Sequence, residues 1–268
     1  MRLAYLGFGC FWGLALMAAP ANAETVRLYA AGSLKAAMAD ITAAFEAATP
    51  GASVETALGA SGLLRERIEK GETAHVFASA DTGHPKRLAD QGRAATSVTI
   101  FARNQLCALV RDGLAVKSAT LLDVMLNRQV RVGTSTPKAD PSGDYAFALF
   151  AKADALKPGA KATLEAKALQ LTGGPTSERA PDGKNLYGWV MASGKADVFL
   201  TYCTNAMQAK ADVANLSIVT IPPALNVGAD YGLVILKDAP ADAAKLAAFI
   251  RSGAGRAVLA RHGFGAGE

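Results

Sequence analysis

Two serines of this chain, Ser33 and Ser61, each stand where an apolar, strand-like run passes into a helical pattern. Ser33 follows VRLYAAG and precedes LKAAMADITAAFE, in which apolar residues recur at helical spacing. Ser61 follows the alternating run SVETALGA and precedes GLLRERIEKG. Ser33 is therefore predicted to be a helix N-cap. Because a helix start presents unpaired N–H groups and partial positive charge, two such starts carrying hydroxyls predict a site for an oxyanion.

Three further positions could add donors to the same site. Ser142 lies in Pro141-Ser142-Gly143, which is typical of a helix start, and would offer its hydroxyl or its backbone N–H. Leu186 lies in the first turn of the helical pattern GKNLYGWV, and Tyr202 ends the apolar run ADVFLTY with a phenolic donor. Taken singly, each has an ordinary structural role as a helix start or a half-buried tyrosine. Only the set of five predicts a receptor built from neutral donors.

Hydrolytic catalysis is the competing interpretation of Ser61, and the sequence disfavours it. The nucleophile pattern G-x-S-x-G is absent, since Leu63 stands where the final glycine belongs. No motif places a histidine near either serine; the three histidines are His75, His84 and His262. The sequence also lacks H-E-x-x-H, C-x-x-C and G-x-x-x-x-G-K. We therefore expect a binding protein without a catalytic site, cofactor or metal-ligating side chains.

The elements that must position these donors alternate between strand and helix. This order predicts an α/β fold with mainly parallel sheets flanked by helices, and such sheets place ligands at the loops that follow strands. SVTIFAR and NQLCALV are predicted as two separate strands, and KATLEAKALQL as continuous helix. Charges of both signs mix along the helices, so the net charge of +5 predicts no nucleic-acid surface.

The first 23 residues have the pattern of a signal peptide. Arg2 precedes an apolar stretch without acidic residues, and Ala21-Asn22-Ala23 fits a cleavage site. We expect export to the periplasm and a mature chain that begins at Glu24.

Two cysteines, Cys107 and Cys203, follow the leader, and the periplasm is oxidising. They could form a disulfide or remain two buried thiols, and the sequence leaves both options open.

Five segments together resemble a known family, the periplasmic molybdate-binding proteins that supply ABC transporters. They span nearly the whole mature chain: YAAGSLKAAMADI, GASGLLRERIEKG, VFASAD, ADPSGDYA and VFLTYCTNA. The resemblance implies that Ser33 and Ser61 donate hydroxyl and backbone N–H groups to the ligand. It further implies backbone N–H groups from Ser142 and Leu186, and the hydroxyl of Tyr202.

The resemblance also implies a type II periplasmic binding protein fold with two lobes. We expect residues 24–101 and 222–268 to form the first lobe, and residues 102–221 the second. The protein would act as a monomer that delivers its ligand to a membrane ABC permease.

Molybdate is the expected ligand, with tungstate bound comparably and molybdenum held as the oxyanion. Sulfate and phosphate remain alternatives, because the sequence does not reveal the size of the pocket. A ligand-loaded form that signals to a membrane sensor would use the same cleft and remains a further alternative.

Overall fold

The computed structural model describes residues 24–267, and within them it has ten strands and ten α-helices. The strands are β1 (Val26–Ala31), β2 (Val54–Gly59), β3 (Val76–Ala78), β4 (Thr99–Val110), β5 (Val132–Ser135), β6 (Leu169–Thr172), β7 (Val198–Tyr202), β8 (Ser217–Thr220), β9 (Gly228–Ile235) and β10 (Gly265–Ala266). The helices are α1 (Lys35–Ala48), α2 (Ser61–Glu69), α3 (Gly83–Asp90), α4 (Leu121–Leu126), α5 (Pro141–Leu156), α6 (Ala160–Lys167), α7 (Leu186–Ala192), α8 (Cys203–Asp212), α9 (Ala241–Arg251) and α10 (Gly253–Arg261). The predicted signal peptide and its cleavage site lie outside the described residues. No helix within residues 24–267 combines the length and apolar character needed to cross a membrane.

The strands form a mixed sheet in the order β2-β1-β3-β9-β4-β7-β5-β6, with β8 and β10 also pairing to β4. β1 runs parallel to β2 and β3, and β5 runs parallel to β6 and β7. The expected parallel order holds in these two groups. β4 and β9, in contrast, run antiparallel to their neighbours, because they link the two groups directly instead of closing a β-α-β crossover.

β4 is shared by the two halves of this sheet. Thr99–Gln105 pairs with β9, whereas Leu106–Val110 pairs with β7. The prediction of two separate strands here is wrong, since Arg103 and Asn104 continue the ladder opposite Asp230 and Ala229. Polar side chains interrupt the apolar pattern of the sequence without interrupting the backbone pairing.

The two-lobed α/β architecture expected from the sequence is confirmed.

The apolar face predicted for α1 is buried. Met38 and Ile41 have no exposed surface, and Phe45 contacts Phe249 of α9 edge-on at 5.8 Å between ring centroids. This packing fixes α1 against β1, so the turn between them is held in place by the core.

The prediction of continuous helix through KATLEAKALQL is wrong at its C-terminal end. α6 ends at Lys167, and Ala168 turns into extended backbone. The next residues form β6, which pairs in parallel with β5. Leu, Gln and Ala favour a helix locally, and the free edge of β5 overrides that preference by offering hydrogen-bond partners.

A disulfide joins Cys107 of β4 to Cys203, the first residue of α8. The Cα atoms are 4.8 Å apart and the two residues are separated by 96 positions in the chain. The bond therefore anchors the start of α8 to the strand that both halves of the sheet share.

Candidate functional site

A cavity of about 280 Å³ lies where several strand-to-helix junctions meet. Four of the five predicted donors line it: Ser33, Ser61, Leu186 and Tyr202. Each lies immediately after a strand or at a helix start, which is where an open α/β sheet gathers its ligand-binding groups. Ser142 does not line this cavity, whereas Asp140, two residues before it, does.

Ser33 lies in a 3-10 turn, Gly32–Leu34, between β1 and α1. The prediction that it is a helix N-cap is wrong, since Ala31 and Leu34 hold the cap positions of the turn and of α1. Its Oγ instead lies 2.9 Å from the hydroxyl of Tyr231 on β9. That hydroxyl accepts from the Asn104 amide, so its own proton can go to Ser33 Oγ. The proton of Ser33 is then available to a ligand.

Ser61 is the first residue of α2 and is 1% exposed. Its Oγ accepts a hydrogen bond of 3.1 Å from the backbone N–H of Ala80, which follows β3. Because the oxygen serves as an acceptor there, the hydroxyl proton can be donated elsewhere. Ser61 thus presents an oriented O–H group and the backbone of a helix start to the cavity.

Tyr202 is the last residue of β7 and is almost fully buried. Its hydroxyl donates to the carbonyl of Ala80 at 3.3 Å, so Ala80 contacts Ser61 through its N–H and Tyr202 through its C=O. Burial raises the pKa of Tyr202 well above its usual value, which keeps the phenol protonated. The cavity wall thus holds a neutral phenol whose single proton goes to Ala80, so this hydroxyl donates to a ligand only after leaving that carbonyl.

The start of α2 also touches the segment that precedes α5. The N–H of Gly62 donates to the carbonyl of Ala139 at 2.8 Å. A Cβ at Gly62 would overlap the carbonyl of Lys138, so only glycine allows this approach. The two sides of the cavity are therefore in direct backbone contact.

Leu186 begins α7, and Asn185 caps that helix by accepting from the N–H of Gly188. The N–H groups of a first helical turn have no intrahelical acceptor. The N–H of Leu186 belongs to such a turn at the cavity wall, as the sequence analysis expects.

Ser142 is placed differently from the other predicted donors. It is fully buried in the first turn of α5, and its Oγ has no hydrogen-bond partner. Its backbone N–H donates to Oδ1 of Asp140, the N-cap residue, at 3.0 Å. The N–H assigned to the ligand is thus occupied by a carboxylate in this structure.

Charged residues on the cavity wall escaped the sequence analysis. They are Asp140, Lys35 and Lys184, and only Asp140 is partly buried, whereas both lysines are exposed. Burial raises the pKa of Asp140 to about 6, against the lowering effect of hydrogen bonds from Ser142 and Ser135. Asp followed by Pro at a helix start is a readable N-cap signal, and it could have identified Asp140.

The cavity also has amide side chains from a helix that the sequence analysis did not predict. Asn205 and Gln208 lie in α8 and face the site next to Tyr202. Among residues 24–267, no group of three or more His, Cys, Asp or Glu side chains is arranged to hold a metal ion. The donors on this wall suit an anion that accepts hydrogen bonds.

Comparison with known proteins identifies relatives over nearly the whole chain. A family model described as bacterial extracellular solute-binding protein matches residues 26–265. PM1146 of Pasteurella multocida, an uncharacterized protein, is 36% identical over 182 residues, which cover 67% of this chain and 74% of that protein. The molybdate-binding protein ModA of Mycobacterium tuberculosis is 29% identical over 245 residues, which cover 91% of this chain and 85% of that protein.

Two solved structures share the fold. The periplasmic molybdate-binding protein of Azotobacter vinelandii has a TM-score of 0.70 at 20% identity, covering 89% of this chain and 98% of that chain. The sulfate-binding protein SubI of Mycobacterium tuberculosis has a TM-score of 0.72 at 19% identity, covering 90% of this chain and 86% of that chain. The family model, ModA and the A. vinelandii protein are all described as binding proteins, as expected for a chain that is not an enzyme. The chain belongs to the bacterial extracellular solute-binding protein family.

Proposed function

We propose that this protein captures molybdate, and tungstate comparably, and delivers it to a membrane ABC permease. The observation that carries the proposal is the convergence of Ser33, Ser61, Leu186 and Tyr202 on one cavity. The curated relative of M. tuberculosis that matches most of the chain is a molybdate-binding protein, which supports this choice of ligand.

Neutral donors suit a tetrahedral dianion. Its oxygens must all be hydrogen-bonded in a dry pocket, because an unpaired buried charge is costly. The hydroxyls of Ser33 and Ser61 and the first-turn N–H of Leu186 would supply these bonds. The hydroxyl of Tyr202 would add one by exchanging the Ala80 carbonyl for an anion oxygen. We propose that the backbone N–H of Ser142 joins these donors only where it leaves the Asp140 carboxylate that holds it in this structure.

Several features of the mature protein belong to the same proposal. The signal peptide would be cleaved after Ala23, and the mature protein would reside in the periplasm. An exported protein whose N-terminal residue is not Glu24 would contradict this cleavage site. Residues 24–101 and 222–268 would form one lobe and residues 102–221 the other, with the first crossing inside β4. The protein would act as a monomer, which sedimentation at working concentration checks.

Sulfate is the second candidate ligand, and the fold shared with SubI favours it. Sulfate and molybdate carry the same charge and geometry, so pocket size decides between them. Phosphate and a signalling role through a membrane sensor remain further alternatives within the same cleft.

Titration calorimetry of the mature protein against molybdate, tungstate, sulfate and phosphate tests the proposal. We expect tight, comparable binding of molybdate and tungstate, and much weaker binding of the other two anions. Tight sulfate binding without a molybdate response would contradict the ligand assignment. Absence of binding by all four anions would contradict an oxyanion site.

A further inference from the structure

Asp140 is an acid on the wall of a cavity whose predicted groups are hydrogen-bond donors. It lines the wall together with Ser33, Ser61 and Tyr202. Its Oδ1 accepts the N–H of Ser142, which fixes the side chain at the N-cap of α5. This carboxylate is thus oriented by the helix that it caps.

Gly173 closes the other side of this carboxylate. Its φ of 74° lies in the left-handed region that favours glycine. A Cβ at this position would overlap Oδ2 and Cβ of Asp140. The carboxyl is therefore confined between the start of α5 and the turn after β6, two segments that border the cavity.

Hydrogen bonds from Ser142 and Ser135 favour the ionised form of Asp140, whereas its titratable and charged neighbours give that form little support. Asp144, in the first turn of the same helix, is a second carboxylate and raises the pKa of Asp140. Three buried tyrosines interact electrostatically with Asp140: Tyr187, Tyr202 and Tyr231. Burial raises the pKa values of their phenols, so all three stay neutral. Lys35 and Lys184 line the cavity but are exposed, where solvent screens their charge.

We propose that Asp140 couples anion capture to a proton: the pocket binds the dianion together with one proton, shared between the Asp140 carboxyl and an anion oxygen. A carboxylate and a dianion in one small cavity repel each other, and a shared proton converts this repulsion into a hydrogen bond. When Asp140 is ionised beforehand, the proton comes from solvent; when it is already protonated, none is taken up. No other bond forms or breaks.

The pH dependence of binding follows from this coupling. The pKa of Asp140 in the free protein is about 6, and the bound anion raises it further. Above about pH 6 each binding event must therefore recruit a proton, so affinity falls by up to about tenfold per pH unit. Below that pH the affinity levels off. The inference rests on the proposed function, since it concerns how the same cavity holds its anion.

The test is calorimetric titration of the mature protein with dilute molybdate at about pH 7.5. Repeating the titration in two buffers that differ in ionisation enthalpy gives the number of protons taken up on binding. We expect the wild-type protein to take up close to one proton per anion. Asp140→Asn keeps the cap, because the amide oxygen can accept the Ser142 N–H, and it removes the charge. This variant should bind without proton uptake, with an affinity at least about tenfold higher at this pH.

Asp144→Asn is the matched control. It removes a neighbouring carboxylate from the same helical turn, and Asp144 does not line the cavity. This variant should still take up a proton on binding. Molybdate binding by the wild-type protein without proton uptake, or an unchanged pH dependence in Asp140→Asn, would overturn the inference and leave the proposed function intact. Failure of the wild-type protein to bind any oxyanion would instead contradict the proposed function.

Discussion

At the scale of single residues, the site depends on which atom of each donor is already engaged. Ser61 Oγ accepts from Ala80, and Ser33 Oγ lies beside the Tyr231 hydroxyl, so each serine can turn its proton to a ligand. The Ser142 N–H is held by Asp140. Three serines that look alike in the sequence thus have different capacities to donate.

Substitution of these serines by alanine should separate their roles. Ser61→Ala removes a hydrogen bond to a charged ligand, which costs about 1.5–3 kcal/mol, so molybdate affinity should fall roughly tenfold to a hundredfold. Ser33→Ala should lower molybdate affinity by a factor in the same range. Ser142→Ala is the matched control, because its buried hydroxyl has no partner and its backbone N–H is retained. Equal losses in all three variants, measured by titration calorimetry, would contradict these roles.

The sequence predicts which residues meet at the cavity better than it predicts their bonds. Ser33, Ser61, Leu186 and Tyr202 follow apolar runs, and this local pattern places them at strand ends. The partner of Ser33 lies 198 positions away in the chain, and no local pattern encodes such a contact. Asp140 before Pro141 is readable as an N-cap, but its place on the cavity wall depends on tertiary packing that no local pattern encodes.

At the scale of elements, tertiary pairing decides where sequence patterns fail. β6 forms because the edge of β5 pairs with it, although its residues continue a helical pattern. β4 runs unbroken through polar residues because β9 supplies hydrogen-bond partners there. α8 begins directly after Tyr202, so its first turns bring Asn205 and Gln208 to the cavity.

The Cys107–Cys203 disulfide should stabilise the fold with little effect on ligand binding. It closes a loop of 96 positions, for which chain-entropy estimates reach about 4–5 kcal/mol as an upper figure. Tyr202 is held independently by its pairing with Leu106, so the site should survive loss of the bond. The Cys107→Ser, Cys203→Ser double variant should therefore melt at a lower temperature and bind molybdate almost as wild type does. Two free thiols in unreduced, denatured wild-type protein would contradict the bond.

At the scale of the whole molecule, both halves of the sheet contribute to one cavity. Ser33 and Ser61 follow strands of the β1–β2–β3 group, whereas Tyr202 ends β7 of the other group. The contacts of Gly62 with Ala139 and of Tyr202 with Ala80 join the two sides around the site. A ligand held there would be bound by both halves at once, as capture and release by a solute-binding protein require.

The most direct test of this account is anomalous diffraction at the molybdenum absorption edge from crystals grown with molybdate. The account predicts one strong anomalous peak in the cavity, with anion oxygens within hydrogen-bond distance of Ser33, Ser61, Leu186 and Tyr202. A molybdenum peak elsewhere on the molecule, or a cavity that stays free of molybdenum at saturating molybdate, would contradict it.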